Sequence, residues 1–345
     1  MRRTTPVWAR YTDAELLRMR FRELHLGFPR RAVLVRAIKR LQGELAARGL
    51  LIEPHFWFSD EWFSPDGVPG IAIPFYLAHP RLERLERRMS RSVEGGNATL
   101  LMQILRHEAG HVVDTAYRLR RRKLWRETFG SPASEYPQQY QVDPSSAAYV
   151  RHLDGWYAQA HPAEDFAETF AIWLAPRSYW RRRYAGRAAC AKLEVMDKLM
   201  RSISGRKPAV RSAYRIDPVA SNETTLREYY RSNLQRRMSC DFSVVDRALN
   251  RGFATPRAAS PNRRSIRRAA AYLRSMRTEL VQHAIVRTGI DEYGARQLVQ
   301  LAIERSHERR LWLRGNNKRR RELAELMIRR LSRAALQGEK IRFTL

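Results

Sequence analysis

The sequence predicts an α+β fold: helices and a small sheet over residues 1–210, followed by an all-α, strongly basic region over residues 211–345. Three observations carry this expectation. Apolar residues recur at helical spacing through most of the chain, as at Leu34, Ala37, Ile38 and Leu41. One stretch, Leu50 to His79, has strand character instead. Past Ser204-Gly205-Arg206-Lys207-Pro208 the strand-like runs stop, apart from a short Ile341–Leu345 tail, and the charge density rises. Residues 1–210 carry 35 basic and 22 acidic side chains (net +13), whereas the shorter remainder carries 30 and 13 (net +17).

Taken in order, residues 13–49 read as helices closed by Arg48-Gly49. Leu51-Ile52-Glu53 and His55-Phe56-Trp57-Phe58 read as strand, Ser64-Pro65-Asp66-Gly67 as a turn, and Ile71 to Leu77 as a second strand. Pro74 inside that run marks an edge or a bulge, because proline cannot donate to a ladder. A charged helix near 80–92 follows. Asn97 is a good N-cap for a helix from Ala98 to about Arg122. Asn97-Ala98-Thr99 also matches a glycosylation sequon, but capping is the better account in a chain without a secretion signal. Residues 128–148, rich in Pro, Ser, Tyr and Gln, read as a loop. Helices are expected at 147–159, 162–175 and 189–203, then basic helices near 223–238, 241–250, 262–288, 291–308 and 310–335.

With 345 residues the chain can hold two domains. The net charge of +30, nearly all of its excess arginine, favours acidic partners or a well-solvated surface. Two cysteines, Cys190 and Cys240, form no C-x-x-C pair and signal no disulfide framework. The N-terminus lacks an apolar signal region, and no run approaches roughly 18 uncharged apolar residues. A cytoplasmic location is expected.

The chemistry concentrates in His107-Glu108-Ala109-Gly110-His111. Two histidines four apart on a helix project from one face, one turn apart, as two ligands of a tetrahedral zinc do. Glu108 stands beside the first and can reach a water on the metal. The apolar flanks, Ile104, Leu105, Val112 and Val113, would bury the helix. Gly110 costs about 1 kcal/mol of helix propensity relative to alanine, which implies close packing. Downstream, Pro162 opens a helix whose Phe166, Phe170 and Trp173 form a buried side. Glu164 and Glu168 lie one turn apart on another side, so one carboxylate can bind metal while the other supports a ligand histidine. His161 is an alternative third ligand, although it precedes proline and falls just outside the helix. Asp114 either orients a ligand or lines its helix; His152 and Asp154 read as loop polarity, and Cys190 as packed core.

A histidine pair followed by a glutamate on a later helix is the gluzincin arrangement. The metzincin alternative wants glycine and histidine three and six residues after His111, where this chain has Asp114 and Tyr117. The runs Arg106–Tyr117 and Arg151–Ala171 together resemble the putative zinc-binding metallopeptidase family of bacteria, whose site is similar to that of the anthrax-lethal-factor-like peptidases. The resemblance covers roughly residues 10–240 and is strongest from 50 to 185. It implies a zincin-like peptidase domain with one Zn2+ per chain held by His107, His111 and Glu164, and Glu168 supporting from behind. Tyr157, seven residues before Glu164, stands where such sites place a tyrosine facing the substrate oxygen. The implied reaction is hydrolysis of a protein or peptide bond by metal-activated water with Glu108 as general base. The strand at 71–77 would hold an extended peptide by strand addition.

The basic C-terminal segment carries Arg263-Arg264, Arg267-Arg268, Arg274, Arg277 and the block Lys318-Arg319-Arg320-Arg321. It is a candidate contact for nucleic acid or another polyanion, without a known DNA-binding motif. The alternative function is therefore a polyanion-binding protein with a non-catalytic zinc site.

Overall fold

A computed structural model of the chain describes residues 5–27, 31–90, 92–137, 139–143, 146–238, 243–250, 253, 267–313, 315–337 and 341–344. It divides into two compact units, one of residues 1–136 and 149–238, the other of residues 137–148 and 239–345.

In the first unit, helix α1 (Asp13–Arg18) opens with a capping box between Thr12 and Glu15, and α2 (Ala32–Ala47) buries the helical stripe of Leu34, Ala37, Ile38, Leu41 and Leu45. Strands β1 (His55–Ser59) and β2 (Gly70–Pro74) pair in parallel with Phe56 opposite Ile71 and Phe58 opposite Ile73. All five residues of β2 are buried. The strand expected to run to Leu77 stops at Pro74, and Phe75–Leu77 form a 3-10 turn, because the proline supplies no donor with which to extend the ladder. On the other side of β2, the Ala72 N–H donates to the Phe63 carbonyl at 2.8 Å. A peptide adding to that edge would meet this occupied amide.

Helix α3 (Pro80–Met89) leads through a turn to α4 (Ala98–Tyr117), whose first turn is capped by Asn97 Oδ1 accepting from the Leu100 amide at 2.9 Å. The helix expected to reach Arg122 ends at Tyr117, where Arg118 takes a left-handed conformation (φ 52°). Asp114 secures the break: its Oδ1 accepts from the Arg120 amide at 2.8 Å and its Oδ2 from Arg120 Nε at 2.7 Å. Helix α5 (Lys123–Phe129) follows, then α6 (Pro162–Leu174), α7 (Trp180–Arg183), α8 (Ala188–Ile203) and α9 (Leu226–Met238). The helix expected over 147–159 is a six-residue 3-10 segment, Asp154–Gln159, in which Gly155 (φ 78°) and Trp156 (φ 52°) are left-handed. Glycine adopts that conformation freely and tryptophan does not, so this short turn is held by its surroundings, with the Arg151 guanidinium stacked on the Trp156 ring at 4.3 Å.

Helix α6 is buried from Ala163 to Leu174 and lies along α4. At their contact a Cβ on Gly110 would stand 2.8 Å from Ala167 Cα, so only glycine permits this approach. Phe166, Phe170, Trp125 and Phe129 join the core around it.

Residues 211–238, which the sequence groups with the basic region, pack in this first unit. Trp57 Nε1 donates to the Ile216 carbonyl at 2.9 Å, Glu223 pairs with Arg20 at 2.7 Å, and Leu226 N–H donates to the Met19 carbonyl at 3.0 Å. Tyr229 sets its ring edge-on to Phe21 and Phe75, both at 5.4 Å. The segment has too few apolar residues for a core of its own and completes this one.

The second unit contains β3 (Gln139–Val142), inside the stretch expected to be loop, paired antiparallel with β6 (Ile341–Thr344). Its helices are α10 (Ser243–Asn250), α11 (Ala269–Ser275), α12 (Arg277–Thr288), α13 (Glu292–Glu308) and α14 (Asn317–Leu336). A two-residue bridge joins β4 (Arg267–Arg268) to β5 (Trp312–Leu313), so the region is not purely helical. Leu280, Leu298, Ala302, Ile328 and Leu331 are fully buried. Several of the basic side chains have acidic partners: Arg305 meets Asp246 at 2.9 Å, and Arg321 meets Glu325 at 2.9 Å and Glu279 at 3.2 Å. Arg263, Arg264 and Cys240 lie outside the described residues.

Among the described residues, no helix is long and apolar enough to cross a membrane.

Candidate metal centre

Helices α4 and α6 bring three donors together: His107, His111 and Glu164, all buried. His107 and His111 share a face by helical periodicity; Glu164 arrives from the first turn of α6, whose start is set by His161 and Pro162. His107 Nε2 lies 3.0 Å from Glu164 Oε2, His111 Nε2 lies 3.2 Å from the same oxygen, and the two Nε2 atoms are 3.3 Å apart. Metal–ligand bonds of ~2.0–2.1 Å in a tetrahedron place ligand atoms about 3.3 Å from one another. The three edges approximate one face of such a tetrahedron, and among the described residues no fourth protein donor joins them.

Glu168 sits one turn further along α6, fully buried. Its Oε1 accepts from His107 Nδ1 at 2.9 Å, so that the neutral imidazole would turn its Nε2 lone pair to a metal. Its Oε2 accepts from the His152 and Leu153 amides at 3.0 and 2.9 Å. The carboxylate is thus held from three directions and in turn holds the imidazole.

The acidities follow from this crowding. Burial disfavours an imidazolium at His107, yet its hydrogen bonds to Glu164 and Glu168 outweigh burial and hold it well above its ordinary value. His111 is raised as well, burial being outweighed by the charge and hydrogen bond of Glu164 together with the charge of Glu108. At Glu164 burial opposes ionisation, but the two histidines prevail and hold the carboxyl well below the usual range. Glu108 moves the opposite way: burial pushes it up, only partly offset by His107 and His111. Its Oε2, on a carboxylate made more basic by burial, is thus left beside the three donors without a hydrogen-bond partner among the described residues.

Tyr157 lies against the cluster, its ring centroid 5.6 Å from that of His107. The Gly155–Trp156 turn places it there. His161 is committed elsewhere: its Nδ1 accepts from the Ala163 amide at 3.1 Å and its Nε2 contacts the Ser134 carbonyl at 2.9 Å, so it serves as the α6 cap. His152 uses Nε2 on the Gln103 carbonyl at 2.8 Å. Asp154 is exposed and faces Arg151 at 3.6 Å. Asp114, a candidate support for a ligand, spends both oxygens on Arg120. Cys190 is a free, half-buried thiol at the edge of the core.

Three participants are absent from the sequence expectation. Tyr136 donates its hydroxyl to Glu164 Oε1 at 2.8 Å. Ser64 Oγ donates to the Glu108 carbonyl at 3.2 Å, tying the segment before β2 to the metal helix. Glu44 on α2 takes a two-point bond from Arg106, at 2.7 and 2.8 Å, immediately before His107. None stands at a fixed offset from the motif, so sequence spacing carries no signal for them.

A buried His-His-Glu set of this geometry could hold a divalent metal ion. Residues 82–204 match the model of the family described as putative zinc-binding metallo-peptidase. The matched segment spans α3 to the end of α8 and includes all of the cluster, Glu108, Tyr157 and Glu168, whereas β1 and β2 lie before it. Comparisons with curated proteins and with solved structures return no match.

Proposed function

We propose that this protein is a zinc-dependent peptidase in which His107, His111 and Glu164 hold the metal and Glu108 is the general base. The observation that carries the proposal is the triangle of donor atoms with edges of 3.0–3.3 Å beside the buried, unpartnered Glu108 Oε2. When bound, zinc supplies Lewis acidity, polarising a carbonyl oxygen and making water a usable nucleophile near neutral pH. Glu108, its basicity raised by burial, takes the proton of the attacking water and delivers it to the nitrogen of the scissile amide as the C–N bond breaks. Glu168 keeps His107 in the tautomer that presents Nε2. The Tyr157 hydroxyl donates to the oxyanion that develops on the substrate carbonyl. A structural zinc site closes with a fourth protein ligand; three protein donors and a spare carboxylate favour catalysis over a purely structural metal.

The test combines elemental analysis with a peptide-library assay on wild type, Glu108→Gln and His107→Ala. Zinc near one per chain in wild type and Glu108→Gln, lost in His107→Ala, is expected. Hydrolysis should fall by about 10²-fold or more in Glu108→Gln. Undiminished cleavage by Glu108→Gln would remove Glu108 from the mechanism, and a metal-free wild type after incubation with zinc would remove the peptidase reading.

A further inference from the structure

The two oxygens of Glu164 face different partners. Oε2 points at both histidines, at 3.0 and 3.2 Å, while Oε1 accepts from the Tyr136 hydroxyl at 2.8 Å. Tyr136 is not a loose loop residue at this point. Its ring lies flat on the His161 imidazole, with centroids 3.8 Å apart and planes within 17°. His161 is itself fixed, through Nδ1 to the Ala163 amide at 3.1 Å and through Nε2 to the Ser134 carbonyl at 2.9 Å. The α6 cap is therefore also the platform that aims a hydroxyl at the outer oxygen of the glutamate three residues further on.

We infer that Tyr136 is a positioning residue that holds Glu164 in a one-oxygen ligating mode and so keeps a coordination position free for the reaction. A carboxylate can bind a metal through one oxygen or two, and a second oxygen would raise the coordination number from four to five and crowd the place that a catalytic zinc site leaves for water. A hydrogen bond to Oε1 fixes the rotation of the carboxylate about its last bond, as outer partners of ligating carboxylates do. Tyrosine suits the task because its neutral hydroxyl donates one hydrogen bond and adds no charge beside the ligand. The residue is 52% exposed, so its ring also bounds the site on the solvent side.

The inference rests on the metal reading above, and cobalt substitution separates the two. Wild-type protein, Tyr136→Phe and Tyr136→Leu are loaded with Co2+ and their visible spectra recorded beside thermal melts of the metal-free forms. Because Tyr136 is half-exposed, both variants are expected to fold, and the melts check this. Four-coordinate cobalt absorbs more strongly than five-coordinate cobalt. Both variants should therefore lose visible absorption relative to wild type as Glu164 turns to bind through both oxygens, while a merely structural tyrosine would shift the melt and leave the spectrum alone. Spectra superimposable on wild type would overturn the role of Tyr136 and leave the metal site standing. Failure of the wild type to bind either cobalt or zinc would overturn both.

Discussion

Replacing Gly110 by alanine adds one methyl group where α4 and α6 touch, and its consequences can be worked from the contact. The new Cβ would stand 2.8 Å from Ala167 Cα, 3.2 Å from its Cβ and 3.3 Å from its carbonyl oxygen. Two of these three atoms are backbone, so no side-chain rotation relieves the clash. Carbon atoms pack at ~3.5–4.0 Å, so the helices must separate locally by about 0.7 Å. Overpacking of this kind costs about 1–3 kcal/mol, against which alanine returns about 1 kcal/mol of helix propensity. The net destabilisation of the metal-free protein should be small, about 0–2 kcal/mol. The effect on the site should be larger, because His107 and His111 ride on α4 and Glu164 on α6. Functional constellations tolerate displacements of about 0.5 Å, and misplacement approaching 1 Å costs up to about 10²-fold. Zinc affinity, measured by competition with a chromophoric chelator, should fall about 10- to 100-fold while urea melts of the metal-free protein change little. An affinity equal to wild type, or a protein more stable than wild type in both states, would refute the claim that this glycine sets the spacing of the donors.

Other substitutions probe single supports. Glu168→Gln should weaken zinc binding about 10- to 100-fold by releasing His107 Nδ1, and an unchanged dissociation constant would show that the imidazole is oriented by packing alone. Glu44→Ala leaves Arg106 as a buried, largely unpaired cation and should cost about 3–5 kcal/mol in denaturant melts; a loss below that of an ordinary surface ion pair would mean that Arg106 reaches water. Asn97→Ala should cost about 1 kcal/mol through loss of the α4 cap, with Asn97→Ser restoring most of it. Tyr157→Phe should lower kcat with little change in KM, and equal turnover would reduce Tyr157 to a wall of the cluster.

Much of the candidate site can be read without the structure because its parts are local. His107 and His111 share a face by the geometry of any α-helix. Asn97 caps α4 because the side chain of one residue reaches the amide three further on, and Pro162 opens α6 because a first-turn residue needs no N–H. Gly110 announces a close approach by its cost in an otherwise good helix. The aromatic run at residues 55–58 and the β-branched Ile71 and Ile73 likewise mark strands from sequence, although the second was expected to continue to Leu77 and ends at Pro74.

What needed the tertiary structure is every contact whose partners are set by packing rather than by chain spacing. Which oxygen of Glu164 meets the histidines, and which meets Tyr136, depends on how a loop residue 28 positions away stacks on the α6 cap. Asp114 lies one turn from His111 and yet serves the left-handed break at Arg118, because Arg120 folds back onto it. The helix expected across 147–159 gives way to a turn with two left-handed residues, in which Arg151 covers Trp156 and Tyr157 comes to lie against His107. Residues 211–238 are basic, as charge counting says, but Tyr229 and Leu226 complete an aromatic core already begun by Phe21 and Phe75. Helical and strand periodicities are properties of consecutive residues and travel with the sequence. The close approach of α4 and α6, the second edge of β2 taken by Phe63, and the hydrogen bonds that aim Glu168 and Glu164 arise only when distant segments compete for the same buried volume and the same buried donors.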